Sequence, residues 1–522
     1  MFSLRLHRVA FLLLFVAFVV VACHEELSIP NENLEMSMFA ELQDSTYALN
    51  SREIREQIGV LMKSDRDSLL TDGKVRSYYR HDGRFLWIER HGVDARADSL
   101  LAVLEEVGKM GFKREKFCVE QLQEDLRRVR ELDFTSEGRN QINHVMARLE
   151  YNLSKVFLRY TTGQRFGFIN PTYMLNHYDV QYKDSQKVVF KGIFDVAMDH
   201  ADEGFYASAF RKIYNDSVAT FLHEVQPKEP LFYKFQEMLN DESLPASKRL
   251  KVAVNMEPCR WRTKDAPRKH KKYVLVNVPA YHLDAVDGDS VLNMRVVCGT
   301  TSTKTPLLNS EIKRMDINPQ WVIPRSIIEK DIARHAGNRS YFDSRRYTIR
   351  DRKTGKKVDP SYVSRSGLLS GKYSVAQEGG KGNALGRIIF RFDNNFSVYL
   401  HDTSSPGAFA RDNRGASHGC VRVERPFDLA VFLLDDKDED VIDKIKYSMT
   451  ADVKASTFKN EDGEVVPIDK KRLLHSLPVE PHVPVFISYF TLYPDKNGKM
   501  CEYPDVYGYD RQMGNFLNKL CE

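Results

Sequence analysis

A cysteine preceded by two histidines is the most reactive combination of side chains in this sequence. Cys420 follows His418 by two residues and His401 by nineteen, and Gly419 stands directly before it. A thiol becomes a nucleophile when a neighbouring imidazole takes its proton, because the thiolate is the reactive form. Glycine lets the backbone approach a substrate closely, so that its N–H and that of Cys420 can bind a developing oxyanion. The pattern predicts a cysteine nucleophile with a histidine base.

Two strands joined by a loop are expected to bring these residues together. Residues 397–401 read as a strand that ends at His401, and residues 402–416 are rich in Ser, Gly, Asp, Asn and Arg, as loops are. Residues 417–423 return as a strand, and a helix begins at Pro426, since proline is tolerated in a first helical turn. This arrangement places the strand-end histidine beside the cysteine, although they are far apart in the sequence.

Two other roles are open for the same residues. Cys420 is a buried structural thiol in the first, although the polar residues and glycine before it, Ser417, His418 and Gly419, argue against that role. In the second, His401, His418 and Cys420 bind zinc. Closed zinc sites usually have four ligands, often from C-x₂₋₄-C or H-x₃₋₅-H pairs, and no C-x-x-C occurs in the chain. The nucleophile is therefore the preferred interpretation, with no metal and no organic cofactor.

This stretch resembles the catalytic motif of the L,D-transpeptidases, the YkuD-type cysteine enzymes of bacterial cell walls. Their motif is a strand-end His, a variable spacer, then Ser/Thr-His-Gly-Cys, an apolar residue and Arg or Asn; here it is His401 and the Ser-His-Gly-Cys-Val-Arg of residues 417–422. The large periplasmic subgroup with a helical scaffold domain is the most similar. Residues 149–171 resemble its scaffold, residues 318–326 its N-P-x-W-x-V-P-R-S segment, and residues 377–386 its Q-x-P-G-x-x-N-A-L-G stretch, without the proline.

The resemblance implies an α+β fold with two main domains. A mostly helical N-terminal scaffold domain precedes a β-rich, sandwich-like catalytic domain with a capping insertion. Apolar residues at helical spacing between 100 and 157, and alternating apolar residues with tight turns after 273, agree with this division. The expected segments are a signal peptide at 1–22, a tether at 23–45, the scaffold domain at 46–255, the catalytic domain at 270–455 with a cap at about 320–375, and a C-terminal segment at 456–522.

The resemblance also implies the roles of the central residues. Cys420 is the nucleophile, and His401 takes its proton and later gives one to the leaving amine. The oxyanion is expected against backbone N–H groups of His418, Gly419 and Cys420. Tyr399 is expected to add a hydroxyl donor, because it precedes His401 by two residues and shares its strand face. The residues expected to support this loop are His418 and Ser417.

Three further residues are candidate substrate contacts. Arg422 lies on the strand face of the cysteine and either binds a substrate carboxylate bidentately or forms a structural ion pair with Glu424 or Asp402. Trp321 is either a core anchor or part of the substrate groove. Asn383 either holds its loop by side-chain hydrogen bonds or is simply a turn former, which is the favoured reading.

The implied reaction cleaves the peptidoglycan stem-peptide bond between the third residue, a diamino acid, and D-alanine. A thioester forms, and the side-chain amine of a second stem peptide attacks it to give a 3→3 cross-link. Water as the acceptor makes an L,D-carboxypeptidase or endopeptidase instead, and a third possibility is attachment of a partner protein to peptidoglycan. Carbapenem-type β-lactams acylate these cysteines in the family and are the implied inhibitors. The peptidoglycan-binding module that many relatives insert in the scaffold has no room here, so recruitment is expected from the scaffold, the cap or the tether.

The N-terminus predicts export. Arg5 and Arg8 precede an apolar run of 14 residues, 9–22, which is shorter than the roughly 20 residues that span a bilayer. A charged start, an apolar middle and a small-residue end are typical of a secretory signal, and the alternative is an uncleaved anchor helix. The end, Val-Val-Ala before Cys23, resembles a bacterial lipobox. We expect an exported, monomeric lipoprotein, held in a membrane by acylated Cys23 and facing the periplasm or cell wall.

Composition sets the remaining limits. At 522 residues with 42% hydrophobic residues, the chain is long enough for two or three domains with a sizeable core. The formal net charge of +5 gives no argument for nucleic acid. Two basic runs, at 260–272 and 345–357, are either solvated or favour an anionic polymer or membrane surface. The cysteines besides Cys23 and Cys420 are expected to be free or buried thiols, although Cys501 and Cys521 could pair.

Overall fold

The computed structural model describes residues 47–521, except 82, 90–91, 184–187, 242, 452–455 and 460–462. The predicted signal peptide, the tether and Cys23 lie outside these residues. The chain forms two compact units. The first contains the described residues up to Phe168 together with His200–Ser243 and the described end of the chain, Leu520 and Cys521. The second contains Ile169–Asp199 and Leu244–Lys519. The first unit is mainly helical and the second carries a large sheet, so the predicted α+β fold is confirmed.

The helices and strands are as follows. The helices are α1 (Ser51–Ser64), α2 (Leu70–Arg80), α3 (Ala95–Glu105), α4 (Val119–Glu131), α5 (Ile142–Phe166), α6 (Pro171–Asn176), α7 (Glu203–Tyr214), α8 (Val218–Glu224), α9 (Pro230–Leu239), α10 (Ala246–Met256), α11 (Arg325–Ile327), α12 (Arg339–Ser344), α13 (Arg365–Leu369), α14 (Pro426–Leu433), α15 (Glu439–Thr450) and α16 (Tyr509–Cys521). The strands are β1 (Ile88–Glu89), β2 (Gly92–Val93), β3 (Val180–Lys183), β4 (Val188–Phe190), β5 (Phe194–Asp195), β6 (Met198–Asp199), β7 (Arg262–Thr263), β8 (Lys272–Asn277), β9 (His282–Asp287), β10 (Ser290–Gly299), β11 (Leu307–Ile317), β12 (Trp321–Val322), β13 (Tyr347–Asp351), β14 (Lys357–Val358), β15 (Tyr373–Gln377), β16 (Ile388–Phe392), β17 (Leu400–His401), β18 (Gly415–Ser417), β19 (Val421–Val423), β20 (Thr457–Lys459), β21 (Val465–Pro467), β22 (Ser476–Ser488), β23 (Leu492–Pro494) and β24 (Met500–Glu502).

Helix α5 is the longest helix of the first unit and packs against α1, α2 and α4. Its apolar residues recur every three or four positions, as Leu149, Leu153 and Phe157 do. Every residue from 153 to 161 is buried, so the helix is covered on nearly all sides and forms the centre of this unit. Glu150 on the same helix is fully buried, and its carboxylate accepts the backbone N–H groups of Trp87 and Ile88 at 2.9 and 3.1 Å. These bonds replace the hydration that a buried carboxylate loses.

The second unit is built on one sheet that closes on itself. Its strands follow the order β16-β17-β19-β10-β9-β8-β22-β11, and β11 also pairs with β16. β5 extends the sheet beyond β11, and β18 pairs with β10. Alternating apolar residues of these strands are buried, including Val274, Val276, Leu283 and Ala285 on β8 and β9. The closed sheet holds the short strand β17 between β16 and β19, where the histidine and cysteine of the predicted site meet.

A small subdomain is inserted between β11 and β16. It has its own sheet, in the order β12-β15-β13-β14, and its own core of buried residues. The segment Ile328–Ile332 is a π-helical turn, a rare conformation that is often found at functional sites. The core residues of this insertion are Ile323, Ile327, Ile328, Ile332, Ala333, Phe342, Ile349, Val363, Leu368 and Val375.

The cysteines within the described ranges form no disulfide with one another, Cys501 and Cys521 included. This agrees with the expectation of free or buried thiols. No helix between residues 47 and 521, outside the gaps given above, is long and apolar enough to cross a membrane.

Candidate active site

Parallel pairing of β17 and β19 brings the strand-end histidine to the cysteine. Leu400 lies opposite Val421, and His401 lies opposite Arg422. Leu400 and Val421 point into the core and are buried. Side chains alternate between the two faces of a strand, so His401 and Arg422 share the other face. Cys420 precedes Arg422 by two residues and lies on that face as well.

The turn before the cysteine is held by the Ser417 side chain. The Ser417 hydroxyl donates to the Cys420 carbonyl at 2.5 Å and accepts the Gly419 N–H at 3.1 Å. Gly419 has a φ of +119°, a conformation that other residues rarely adopt. The Ser417 side chain therefore supports this loop, the role predicted for it. The backbone conformation before the cysteine favours glycine at position 419.

The predicted oxyanion donors need one correction. The Gly419 N–H is already bonded to the Ser417 hydroxyl, so it does not point freely at a substrate. The N–H groups of His418 and Cys420 have no hydrogen-bond partner among the residues that the structure describes. These two groups are the ones that remain open for an oxyanion.

His401 is held in one tautomer. Its side chain is buried, and Nδ1 lies 2.5 Å from the carbonyl oxygen of Asp402. A carbonyl can only accept, so Nδ1 carries the proton and Nε2 keeps its lone pair. The pKa of His401 is lowered to about 4. Burial is the main cause, and the charge of Arg422 adds to it, while backbone hydrogen bonds to Asp402 and Leu385 oppose both. The imidazole is therefore neutral at neutral pH and available as a base.

The cysteine is half-buried, and its charge state follows from its surroundings. Burial raises the pKa of the Cys420 thiol, while a hydrogen bond from the Tyr399 backbone and the positive charge of Arg422 oppose that rise. The resting pair is therefore a neutral thiol and a neutral imidazole. Arg422 is the cation close enough to stabilise the thiolate when the proton leaves.

Arg422 does not form either of the ion pairs considered from the sequence. Glu424 instead binds Arg295, with 2.9 Å between Arg295 Nε and a Glu424 oxygen. The Asp402 carboxylate accepts the backbone N–H of Arg387 at 2.8 Å. Arg422 Nε is buried and has no hydrogen-bond partner within the described part of the chain. An unpaired guanidinium on the face of the cysteine fits the role of binding a substrate carboxylate.

The side chain of His418 lies beside the inserted subdomain. Its side chain is half-exposed, and Nε2 lies 4.0 Å from Oδ2 of Asp331, on the π-helical turn. Asp331 was not singled out from the sequence, because nothing in the sequence shows which residue of the insertion reaches the catalytic loop. This contact places the insertion beside the catalytic turn, as a cap would be.

The ring of Tyr399 is half-buried and lies under the guanidinium of Arg391, with 5.2 Å between Arg391 Cζ and the ring centroid. Its role as an oxyanion donor stays a prediction. Trp321 is half-buried and packs on the core of the insertion, which favours the anchor over the groove.

The prediction that Asn383 contacts a substrate is wrong, because this residue is fully buried. Its amide donates to the carbonyls of Glu378 at 2.9 Å and Pro319 at 3.3 Å, and its Oδ1 accepts the Leu385 N–H at 2.8 Å. The favoured reading as a simple turn former was wrong, since these side-chain bonds hold the loop. Within the described ranges, no group of three or more His, Cys, Asp or Glu side chains is arranged to bind a metal.

One region in the helical part of the chain and one in the β-rich part match known protein families. The L,D-transpeptidase catalytic domain of the YkuD family matches residues 271–446, and the Scaffold domain matches residues 73–239. A protein of Haemophilus influenzae, described as "Putative L,D-transpeptidase", is 30% identical over 304 residues, which are 58% of this chain and 57% of that protein. The chain thus spans little more than half the length of this relative.

A solved structure, described as "Structure of the Ldtfm-avibactam carbamoyl enzyme", covers 48% of this chain and 65% of its own. Its TM-score of 0.19 and sequence identity of 11% are too low to carry an argument. The assignment of these two regions rests on the family matches. The chain therefore carries a Scaffold domain followed by a YkuD-type L,D-transpeptidase catalytic domain.

Proposed function

We propose that this protein is an L,D-transpeptidase that cross-links peptidoglycan stem peptides through a thioester on Cys420. The observation that carries the proposal is the pairing of β17 with β19, which puts His401, Cys420 and Arg422 on one face of the sheet. The match of residues 271–446 to the L,D-transpeptidase catalytic domain supports the same reaction class. Export to the cell wall follows from such a substrate.

Acylation begins with a proton transfer between two neutral groups. The thiol proton of Cys420 passes to Nε2 of His401, because Nδ1 is already protonated and bound to the Asp402 carbonyl. Sγ attacks the carbonyl carbon of the third stem residue, and the oxyanion is bound by the N–H groups of His418 and Cys420. The imidazolium then gives its proton to the amine of D-alanine, which leaves as the carbon–nitrogen bond breaks.

Transfer uses the same groups in reverse. The side-chain amine of a second stem peptide attacks the thioester carbonyl, and His401 takes a proton from that amine. The carbon–sulfur bond breaks and the thiolate is reprotonated by the imidazolium. The product is a 3→3 cross-link, and the enzyme returns to the neutral pair. Arg422 is proposed to bind a carboxylate of the donor peptide, since its buried Nε has no partner within the described ranges.

The proposed setting is the periplasmic side of a membrane. Cys23, acylated after removal of residues 1–22, tethers the chain, with peptidoglycan stem peptides as donor and acceptor. Carbapenem-type β-lactams are proposed to acylate Cys420. Labelling with radioactive palmitate, lost in a Cys23→Ala chain, would test the anchor, and its absence from the wild-type chain would contradict it.

The reaction is tested with the full-length chain in detergent and a Cys420→Ala control. Each is incubated with disaccharide-tetrapeptide, and the products are analysed by mass spectrometry. We expect a cross-linked dimer that has lost one D-alanine, absent in the control. Tripeptide alone would show that water is the acceptor and make the protein a carboxypeptidase. Absence of both products and of a carbapenem adduct would refute the cysteine-enzyme proposal and favour a wall-binding role.

A further inference from the structure

A short loop that follows β10 lies against the turn before Cys420. It runs from Gly299, the last residue of β10, to Thr305, and we call it the Thr303 loop. β18 pairs with the end of β10, where Gly299 lies opposite Ser417. The loop therefore leaves the sheet directly beside the catalytic turn.

The Ser417 carbonyl oxygen accepts two hydrogen bonds from this loop. The Thr303 hydroxyl donates to it at 2.8 Å, and the Thr300 N–H donates to it at 3.1 Å. A carbonyl oxygen has two lone pairs, so both of its acceptor positions are used. The direction of the Ser417 carbonyl is therefore set by the loop.

The direction of this carbonyl also sets the direction of the His418 N–H. The only cis peptide bond among the described residues precedes Pro481, so the bond between Ser417 and His418 is trans. In a planar trans peptide, the N–H points away from the C=O of the same plane. The His418 N–H, one of the two groups left open for an oxyanion, therefore points to the side opposite the Thr303 loop.

Three hydroxyl groups of the loop form a chain that ends at Ser417. A carbonyl can only accept, so the Thr303 hydroxyl gives its proton to Ser417, and the Thr300 hydroxyl, 2.8 Å away, must donate to that of Thr303. The Ser302 hydroxyl lies 3.0 Å from that of Thr300 and donates to it in turn. Hydrogen bonds in such a chain polarise one another, which strengthens the last bond, to the Ser417 carbonyl.

The base of the loop is tightly closed. The Thr305 hydroxyl accepts the Gly299 N–H at 2.8 Å, and the Tyr507 hydroxyl donates to the Gly299 carbonyl at 2.8 Å. The Tyr507 hydroxyl also accepts the Thr305 N–H at 3.0 Å. A Cβ on Gly299 would lie 2.0 Å from the Thr303 carbonyl oxygen, so a larger residue would force this closure open.

The buried side chain of Lys304 anchors the loop as well. Its Nζ forms an ion pair with Asp179, at 2.7 and 2.8 Å from the two carboxylate oxygens. The same ammonium lies 4.5 Å from the ring centroid of Tyr178 and 5.3 Å from that of Tyr509, where the ring faces attract a cation. These contacts fix the backbone next to Thr303.

We propose that Thr303 is a positioning residue that aligns the His418 N–H with the oxyanion. The inference rests on the proposed acyl transfer to Cys420. Attack by Sγ moves negative charge onto the carbonyl oxygen of the donor peptide, and an N–H that is already aligned binds this charge without reorganisation. In this role Thr303 contacts no reacting atom and acts through the peptide between Ser417 and His418.

The test compares two reactions of Cys420 in the full-length chain, of which only one forms an oxyanion. Thr303→Val removes the hydroxyl and keeps the shape of the side chain. We expect acylation by donor tetrapeptide, measured as D-alanine released in a single turnover, to fall about tenfold. Deleting an oxyanion donor costs about 10²- to 10³-fold, and here the N–H remains and only its alignment is lost. Alkylation by iodoacetamide forms no oxyanion and should be unchanged.

Two further variants serve as controls. Thr303→Ser keeps the hydroxyl and should recover most of the acylation rate, which a loss of packing alone would not allow. Thr301→Val changes an exposed threonine of the same loop and should leave both rates at their wild-type values. Unchanged acylation in Thr303→Val, or an equal fall in acylation and alkylation, would overturn the proposal.

A failure of the proposed function looks different, because the wild-type chain would then release no D-alanine. The role of Thr303 is in that case decided without substrate, by NMR of the chain labelled with ¹⁵N-histidine. The amide resonance of His418 shifts when the carbonyl of the same peptide loses a hydrogen bond and turns. A shift in Thr303→Val that is absent in Thr301→Val supports the positioning role, and an unchanged resonance overturns it.

Discussion

His401 and Arg422 lie directly opposite each other on the parallel strands β17 and β19. The charge of Arg422 lowers the pKa of His401 and opposes the rise in the pKa of Cys420. A single cation thus favours the thiolate and adds to burial, the larger effect, in favouring the neutral imidazole. The sequence spacing between the histidine and the cysteine says nothing of this coupling, because it arises from strand pairing.

Arg422→Gln should make the thiol harder to ionise. Removing a nearby positive charge destabilises the thiolate, so the pKa of Cys420 rises further. The pH dependence of Cys420 alkylation by iodoacetamide measures this shift. Arg422→Lys retains the charge and should shift the profile less. An unchanged profile in Arg422→Gln would contradict the coupling.

The two histidines should differ strongly in their effect on acylation. His401→Gln removes the proposed base, and we expect the acylation rate constant to fall by about 10²- to 10⁴-fold. His418→Gln is the matched control, because its ring is half-exposed and lies towards Asp331. The rate of D-alanine release in a single turnover measures both variants. A larger loss in His418→Gln than in His401→Gln would reverse the assignment of the base.

Much of this site could be predicted because it depends on local sequence. The sequence predicts a strand that ends at His401, then a loop, then a strand that begins near Cys420, because each segment has residue types typical of its structure. This order is enough to predict that the histidine and the cysteine lie close together. The glycine before Cys420 predicted close backbone approach, and the structure adds the positive φ that requires it. The division into a helical and a β-rich part followed from the change in apolar periodicity.

The rest depended on tertiary contacts that no local pattern shows. The Gly419 N–H was expected at the oxyanion, but the neighbouring Ser417 hydroxyl accepts it. Asn383 lies in a sequence that is typical of a turn. Its side chain is nevertheless buried and forms hydrogen bonds to three backbone groups. Asp331 reaches His418 from the insertion, far away in the sequence.

Asn383→Ala should weaken the fold without weakening donor binding. The change leaves buried carbonyl and N–H groups without partners, which costs about 1–3 kcal/mol per group. We expect a lower midpoint in urea unfolding and an unchanged donor KM. Asn395→Ala is the control, because Asn395 is exposed and its side-chain amide donates to the Asp195 carboxylate at 2.8 Å. A raised donor KM with unchanged stability would restore Asn383 as a substrate contact.

His401 should make stability depend on pH in a defined window. Burial lowers its pKa from 6.5 to about 4, so the folded state binds the proton less tightly than the unfolded state. Its contribution is therefore complete above pH 6.5 and is lost as the pH falls towards 4, by about 3 kcal/mol at 1.36 kcal/mol per pKa unit. Urea unfolding at pH 7 and pH 4 measures the loss. Carboxylates also titrate in this range, so the comparison is with His401→Gln, which cannot be protonated and should lose less stability by that amount. Equal losses in the two proteins would show that the pKa of His401 is not lowered in the folded state, which would contradict the effect of burial.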